Sequence, residues 1–98
     1  MDNLFPEVVQ AIAGENYIIY AYMKDGSVRL FDAKPLIDKG GVFAKLRDKT
    51  FFANNLTVMN ETVAWDILGN HNPSDCIDID PFTIAACPET EDILDFRA

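Results

Sequence analysis

The sequence predicts a single α+β domain in which short helices pack on an antiparallel sheet of two or more hairpins. Two strand pairs are joined by short polar turns, at Asp25-Gly26 and at Asn60-Glu61. Between these hairpins, residues 32–39 and 42–48 carry short helical patterns. The chain has 98 residues, of which 49% are hydrophobic, so it suits one packed core and has no room for a second.

The first two strands are predicted from long apolar runs near the N-terminus. Phe5 to Ala13 is the first strand, with Pro6 at its start, where the missing N–H group matters least. The chain then turns at residues 14–16. Tyr17 to Lys24 is apolar on both faces and rich in aromatic residues, which favours an inner strand.

Asp25-Gly26 predicts a tight hairpin between this inner strand and a return strand over residues 27–32. A two-residue type I′ loop would place Tyr22 opposite Arg29 and Tyr20 opposite Phe31. One face of the pair would then lie in the core: Ile19, Ala21, Met23, Val28 and Leu30. The other face would be aromatic with a single cation: Ile18, Tyr20, Tyr22, Arg29 and Phe31.

This aromatic side of the hairpin has two interpretations. Tyr20, Tyr22 and Arg29 could form a platform that stacks on a planar group, which makes them interaction candidates. We favour a second packed layer, in which Arg29 lies across Tyr22 and gains about 0.5–1 kcal/mol of cation–π attraction.

The middle of the chain is predicted to be helical. Residues 32–39 form a one-turn connector that Gly40-Gly41 stop. In the next segment, Val42, Phe43 and Leu46 have the spacing of a short amphipathic helix. The basic residues Lys45, Arg47 and Lys49 would face solvent on this helix, and Phe51-Phe52 would return the chain to the core.

A second hairpin is predicted over residues 56–65, about Asn60-Glu61. Val58 would lie opposite Val63, and Leu56 opposite Trp65. This position makes Trp65, the only tryptophan, a core anchor first and an interaction residue second.

The rest of the chain combines helix starts with one extended segment. Asn72-Pro73 and Asp80-Pro81 each have the form of an N-cap followed by proline. Between them, residues 76–80 alternate as an edge strand would, with Ile77 and Ile79 inward and Asp78 and Asp80 open to solvent. We place the domain at residues 1–88 and an acidic tail, helical or frayed, at 89–98.

The net charge of −8 comes entirely from the second half of the chain. Residues 1–49 carry seven acids and seven bases, whereas residues 50–98 carry nine acids and one base. Such a field repels phosphate, so we expect no direct contact with nucleic acid or anionic membranes. We favour a role for this charge in solubility. The alternative is that the acidic half recruits a basic partner or a cation.

Composition also bears on location. No signal peptide is recognisable, and no apolar run reaches the ~20 residues needed to span a bilayer. Two cysteines are too few for a disulfide scaffold. We therefore expect a cytoplasmic protein with reduced thiols.

Several metal-capable side chains are crowded into residues 66–80. The candidates are Asp66, His71, Asp75 and Asp78. Their spacing matches neither a zinc site nor an EF-hand loop, and helix capping and edge protection explain most of these residues. We therefore assign no metal, cofactor or catalytic residue, and no nucleophile–base pair, phosphate loop or CxxC motif is present.

The order of these elements resembles a known family. The resemblance rests on Pro6 and Val8, Asp25-Gly26, Phe31-Asp32, Leu36-Ile37 before Gly40-Gly41, Val42-Phe43 with Leu46, and Trp65. In this order and spacing, they resemble the small prokaryotic domain-of-unknown-function family numbered 2442, over about residues 5–86. The resemblance implies a compact α+β domain and no established activity. It also implies that a regulatory role would act through a partner.

Two hypotheses about function remain. We favour a non-enzymatic interaction domain that acts through a protein partner or by self-association, using a strand edge or the aromatic residues. The alternative is a divalent-cation-binding protein or metal-dependent enzyme that uses the Asp66–Asp80 segment.

Overall fold

The computed structural model describes residues 5–67 and 76–91 and confirms the α+β class. The strands are β1 (Val8–Ala13), β2 (Ile18–Met23), β3 (Val28–Asp32), β4 (Leu56–Met59), β5 (Thr62–Asp66), β6 (Cys76–Asp78) and β7 (Glu89–Thr90). The helices are α1 (Lys34–Lys39), a 3₁₀ helix (Gly41–Arg47), α2 (Lys49–Asn54) and α3 (Pro81–Ala85). In the described residues the strands form two antiparallel sheets, ordered β1-β2-β3-β7 and β4-β5-β6.

One hydrophobic core joins the two sheets and the helices. Its fully buried members include Ile19 of β2, Val63 and Trp65 of β5, Leu46 of the 3₁₀ helix and Ile84 of α3. Because only one face of the β1-β2-β3-β7 sheet contributes to this core, the opposite face must be covered by something else or face solvent. Among the described residues, no helix is both long and apolar enough to cross a bilayer.

The loop between β2 and β3 differs from the sequence prediction. A type I′ loop needs positive φ at both Asp25 and Gly26, but only Gly26 has it, at +93°. The Gly26 N–H donates to the Met23 carbonyl at 3.0 Å, and the Asp25 carboxylate accepts the Ser27 N–H at 2.8 Å. The loop therefore has three residues and ends with glycine in a left-handed conformation.

The extra loop residue moves the register of this hairpin by one position. Tyr20 pairs with Leu30, and Ala21 pairs with Arg29. Directly opposed residues share a face, so the predicted pairing was wrong for the whole of β3. Phe31 lies in the core, where Leu30 was expected, and Arg29 lies on the face opposite to that of Tyr20.

The second hairpin confirms its predicted register. Leu56 pairs with Trp65, and Val58 pairs with Val63. Asn60 and Glu61 have φ values of 55° and 64°, so this loop is the two-residue turn with positive φ at both positions.

The helical middle of the chain is only partly as predicted. Residues 41–47 form a 3₁₀ helix, in which Leu46 is buried as expected. Val42 was expected to pack inward but leaves 69% of its surface exposed. The tighter winding of three residues per turn does not keep Val42 and Leu46 on one face.

Helix α2 was not predicted. The Asp48 side chain accepts hydrogen bonds from the N–H groups of Thr50, at 2.9 Å, and Phe51, at 3.3 Å, and so caps this helix. Asp48 was expected to end the preceding helix, whereas it is the N-cap of α2. α2 buries Phe52, which is 3% exposed.

At the N-terminus, β1 begins at Val8 rather than at Phe5.

The C-terminal elements largely follow the sequence prediction. β6 pairs with β5, Ile79 is buried, and Asp78 is exposed. Asp80 caps α3 by accepting the Phe82 N–H at 2.9 Å. Glu89 and Thr90, expected to begin a helical or frayed tail, form β7 on β3. The predicted helix start at Asn72-Pro73 lies outside the described residues.

Candidate binding surfaces

One face of the β1-β2-β3-β7 sheet points away from the core and carries aromatic and aliphatic side chains. We call it the aromatic face and define it by Ile12, Ile18, Tyr20, Tyr22 and Leu30. The register places Ile12 and Leu30 on either side of Tyr20, on neighbouring strands. All five residues are half-buried. The aromatic face therefore presents apolar surface around Tyr20, whereas Val28, which lies opposite Tyr22 on the same face, is buried.

Close packing positions the Tyr20 ring. A Cβ atom built on Gly14 would lie 2.8 Å from Cε2 of Tyr20, so any side chain at position 14 would force the Tyr20 ring to move. The glycine in the β1–β2 turn thus lets the ring of Tyr20 lie against the backbone.

Carboxylates border the aromatic face. Asp32 is exposed at the end of β3, opposite Ile18. Near β7, Tyr20 lines a shallow cavity with Glu89, Thr90 and Glu91. The described strand positions that share this face contain no lysine or arginine.

Arg29 belongs to a different surface from Tyr20 and Tyr22. It lies on the other side of the sheet, where its Nε donates to Ser27 Oγ at 3.3 Å and its Nη1 donates to the Cys87 carbonyl at 3.1 Å. The expected cation–π contact between Arg29 and Tyr22 is therefore wrong, because the two side chains point to opposite sides of the sheet.

Arg29 lines a cavity of about 260 Å³ that we call the Arg29 groove. Its lining includes Phe5, Met23, Ser27, Arg29, Phe82 and Ala85. Phe5 and Phe82 come from distant parts of the chain and were missed as candidates. Their one signal in the sequence is that each stands beside a proline, which does not indicate that they meet.

Two ionisable groups near Arg29 have shifted pKa values. Hydrogen bonds from the Ser27 hydroxyl and N–H lower the pKa of Asp25, and the charge of Arg29 adds to this effect. Burial raises the pKa of the Cys87 thiol, partly offset by Arg29. At neutral pH, Asp25 is therefore ionised and Cys87 is a thiol.

Trp65 is fully buried, as expected for a core anchor. Its indole N–H donates to the Phe52 carbonyl at 3.1 Å, and its ring lies 5.5 Å from that of Phe52, centroid to centroid. A side chain with no exposed surface cannot contact a partner directly, so Trp65 is not an interaction residue.

The structure describes only half of the candidate cation ligands. Asp66 is half-buried and lies opposite Cys76 in the register of β5 and β6. Asp78 is exposed and accepts a hydrogen bond from Asn60 Nδ2 at 3.2 Å. Within residues 5–67 and 76–91, no three metal-capable side chains form a group that could hold an ion. His71 and Asp75 lie outside the described residues, so the cation hypothesis stays a prediction.

Comparison with known proteins identifies a matching family. A family model described as "Protein of unknown function (DUF2442)" matches residues 8–86, which include every described helix and strand except β7. No curated protein and no solved structure matches the chain.

Proposed function

Since this chain belongs to the DUF2442 family, whose description names no activity, we propose a function from its surface alone. We propose that it is a non-enzymatic interaction domain, in the cytoplasm, that binds a basic and apolar segment of a partner protein on the aromatic face. The observation that carries this proposal is an uncharged apolar centre bordered by carboxylates on one sheet face.

The centre of the aromatic face supplies the apolar part of the contact. Tyr20 offers a ring and a hydroxyl to a partner, and Leu30 and Ile12 flank it on the neighbouring strands. Aromatic residues are enriched in protein interfaces because they bury a large area while losing little side-chain entropy.

Charge favours a basic partner over a second copy of this chain. Each copy carries a net charge of −8, and Asp32 and Glu91 would bring like charges to a face-to-face contact. The same acidic field attracts a basic segment and raises its rate of association.

Titration with a defined peptide tests this proposal. The probe is a short peptide with aliphatic residues at its centre and arginine at both ends, and the matched control has glutamate at both ends. We expect the basic peptide to shift the NMR signals of Tyr20, Leu30 and Glu91, with an affinity that falls as salt is added. We expect no saturable shift from the acidic peptide.

Three outcomes would contradict the proposal. The first is equal binding of the two peptides, because charge would then play no part. The second is a set of shifts confined to other surfaces. The third is a concentration-dependent dimer that Leu30→Lys dissociates, since a second copy would then occupy the aromatic face.

A further inference from the structure

The Arg29 side chain is held in one orientation on the groove wall. Ser27 Oγ accepts from its Nε and the Cys87 carbonyl accepts from its Nη1, and both acceptors are uncharged. Ser27 is itself fixed, because its hydroxyl donates to Asp25 at 2.7 Å. Among the described residues, Ser27 and Cys87 are the hydrogen-bond partners of Arg29, and no carboxylate oxygen lies within 4 Å of it.

The walls of the Arg29 groove are apolar. Phe5 and Phe82 contact each other edge to face, with ring centroids 6.0 Å apart, yet remain 71% and 53% exposed. Met23 and Ala85 complete the apolar lining. Aromatic rings that are this exposed beside a cavity are typical of a binding site, because their burial by a ligand is favourable.

The remaining charges of the groove limit the charge of its ligand. Lys24 Nζ and Glu7 Oε1 lie 3.6 Å apart and pair with each other at the rim. The Asp25 carboxylate accepts hydrogen bonds from the N–H and the hydroxyl of Ser27. Within the described lining, Arg29 is the one cation with no carboxylate oxygen within 4 Å, although Glu89 lies directly opposite it on β7. Glu7, Asp25 and Glu89 together oppose a second negative charge on the ligand.

We propose that the Arg29 groove binds a small monocarboxylate that carries an aromatic or branched aliphatic group. The carboxylate accepts from Nη2 of Arg29, and the apolar group packs against Phe5 and Phe82. A guanidinium pre-positioned by two hydrogen bonds loses little entropy when it binds a carboxylate. The groove volume of about 260 Å³ is just below the range usual for pockets that bind drug-sized ligands, so the ligand must be small.

Calorimetric titration with three related compounds tests this site independently of the peptide proposal. Phenylacetate is the probe, phenylacetamide has the same shape without the charge, and phenylmalonate adds a second carboxylate. We expect phenylacetate to bind with one site per chain. We expect the other two compounds to bind about tenfold more weakly, the equivalent of one charge-assisted hydrogen bond.

Two variants locate the binding. Arg29→Gln should weaken phenylacetate binding about tenfold and remove the preference over phenylacetamide. Arg47→Gln removes an exposed arginine outside the groove lining. This variant should leave the affinity for phenylacetate and the preference over phenylacetamide unchanged. If phenylacetate shows no saturable binding, or binds no better than phenylacetamide to the unaltered protein, the site does not exist as proposed. Unchanged binding by a folded Arg29→Gln variant would also overturn it.

Discussion

Replacing Trp65 with alanine should lower the free energy of unfolding by about 4 kcal/mol, the usual cost of removing a fully buried tryptophan. Trp65 has 0% of its surface exposed and packs on Phe52, whose ring also contacts Tyr17 at 5.1 Å, centroid to centroid. The truncation opens a cavity among these rings and leaves the buried Phe52 carbonyl without its donor. Urea denaturation followed by circular dichroism measures the loss.

Trp65→Phe separates the contribution of the hydrogen bond to Phe52 from that of ring packing in the core. This variant keeps a ring in the core but loses the hydrogen bond to Phe52, so we expect a smaller loss of about 1–2 kcal/mol. Equal losses for the two variants would mean that the hydrogen bond, rather than the packing, provides most of the stability. A loss below about 1 kcal/mol for Trp65→Ala would contradict the central position given to this residue.

Replacing Ile84 with alanine should cost about 3 kcal/mol, within the range for a buried isoleucine. Ile84 is 0% exposed, and its helix α3 packs on both β3 and β5, which belong to different sheets. The side chain therefore stabilises the contact between the sheets. Urea denaturation should show the loss as a lower midpoint with an unchanged slope.

The matched control for Ile84 is Phe82→Ala on the same helix. Phe82→Ala removes more atoms than Ile84→Ala does, yet it should cost only about 1–2 kcal/mol, because 53% of the Phe82 surface stays in water in the folded protein. A larger loss from Phe82→Ala than from Ile84→Ala would contradict the assignment of the buried side of α3.

The two hairpins explain why the register could be predicted in one case only. The apolar residues of β4 and β5 fit one pairing about Asn60-Glu61, and the structure confirms it. Asp25-Gly26 suits a two-residue loop and also a three-residue loop that ends in glycine, because both need a positive φ at Gly26. β2 is apolar on both faces, so its side-chain pattern does not decide between the two registers.

The candidate surfaces were predicted to a similar, partial extent. Tyr20 and Tyr22 share a face because they stand two positions apart on one strand, which any register preserves. The face of the sheet on which Arg29 lies depends on the register between β2 and β3, and it was predicted wrongly. The Arg29 groove depends on α3 bringing Phe82 to Phe5, a contact between residues 77 positions apart that no local pattern indicates.

The two proposed sites lie on opposite faces of the same sheet and differ in charge. The aromatic face is bordered by carboxylates, whereas the groove holds the guanidinium of Arg29, which has no carboxylate oxygen within 4 Å in the described residues. Binding at one site does not exclude binding at the other. Variants at Leu30 and at Arg29 therefore test the two proposals separately.

The most direct test of the interaction function is the affinity of the basic peptide for two variants at one position, Leu30→Lys and Leu30→Glu. Both remove the same half-buried leucine from the centre of the aromatic face, and the main difference between them is the sign of the charge that replaces it. We predict that Leu30→Lys binds the peptide about tenfold more weakly than Leu30→Glu, with both variants folded. Equal affinities for the two variants would contradict the proposal that a basic segment docks on this face.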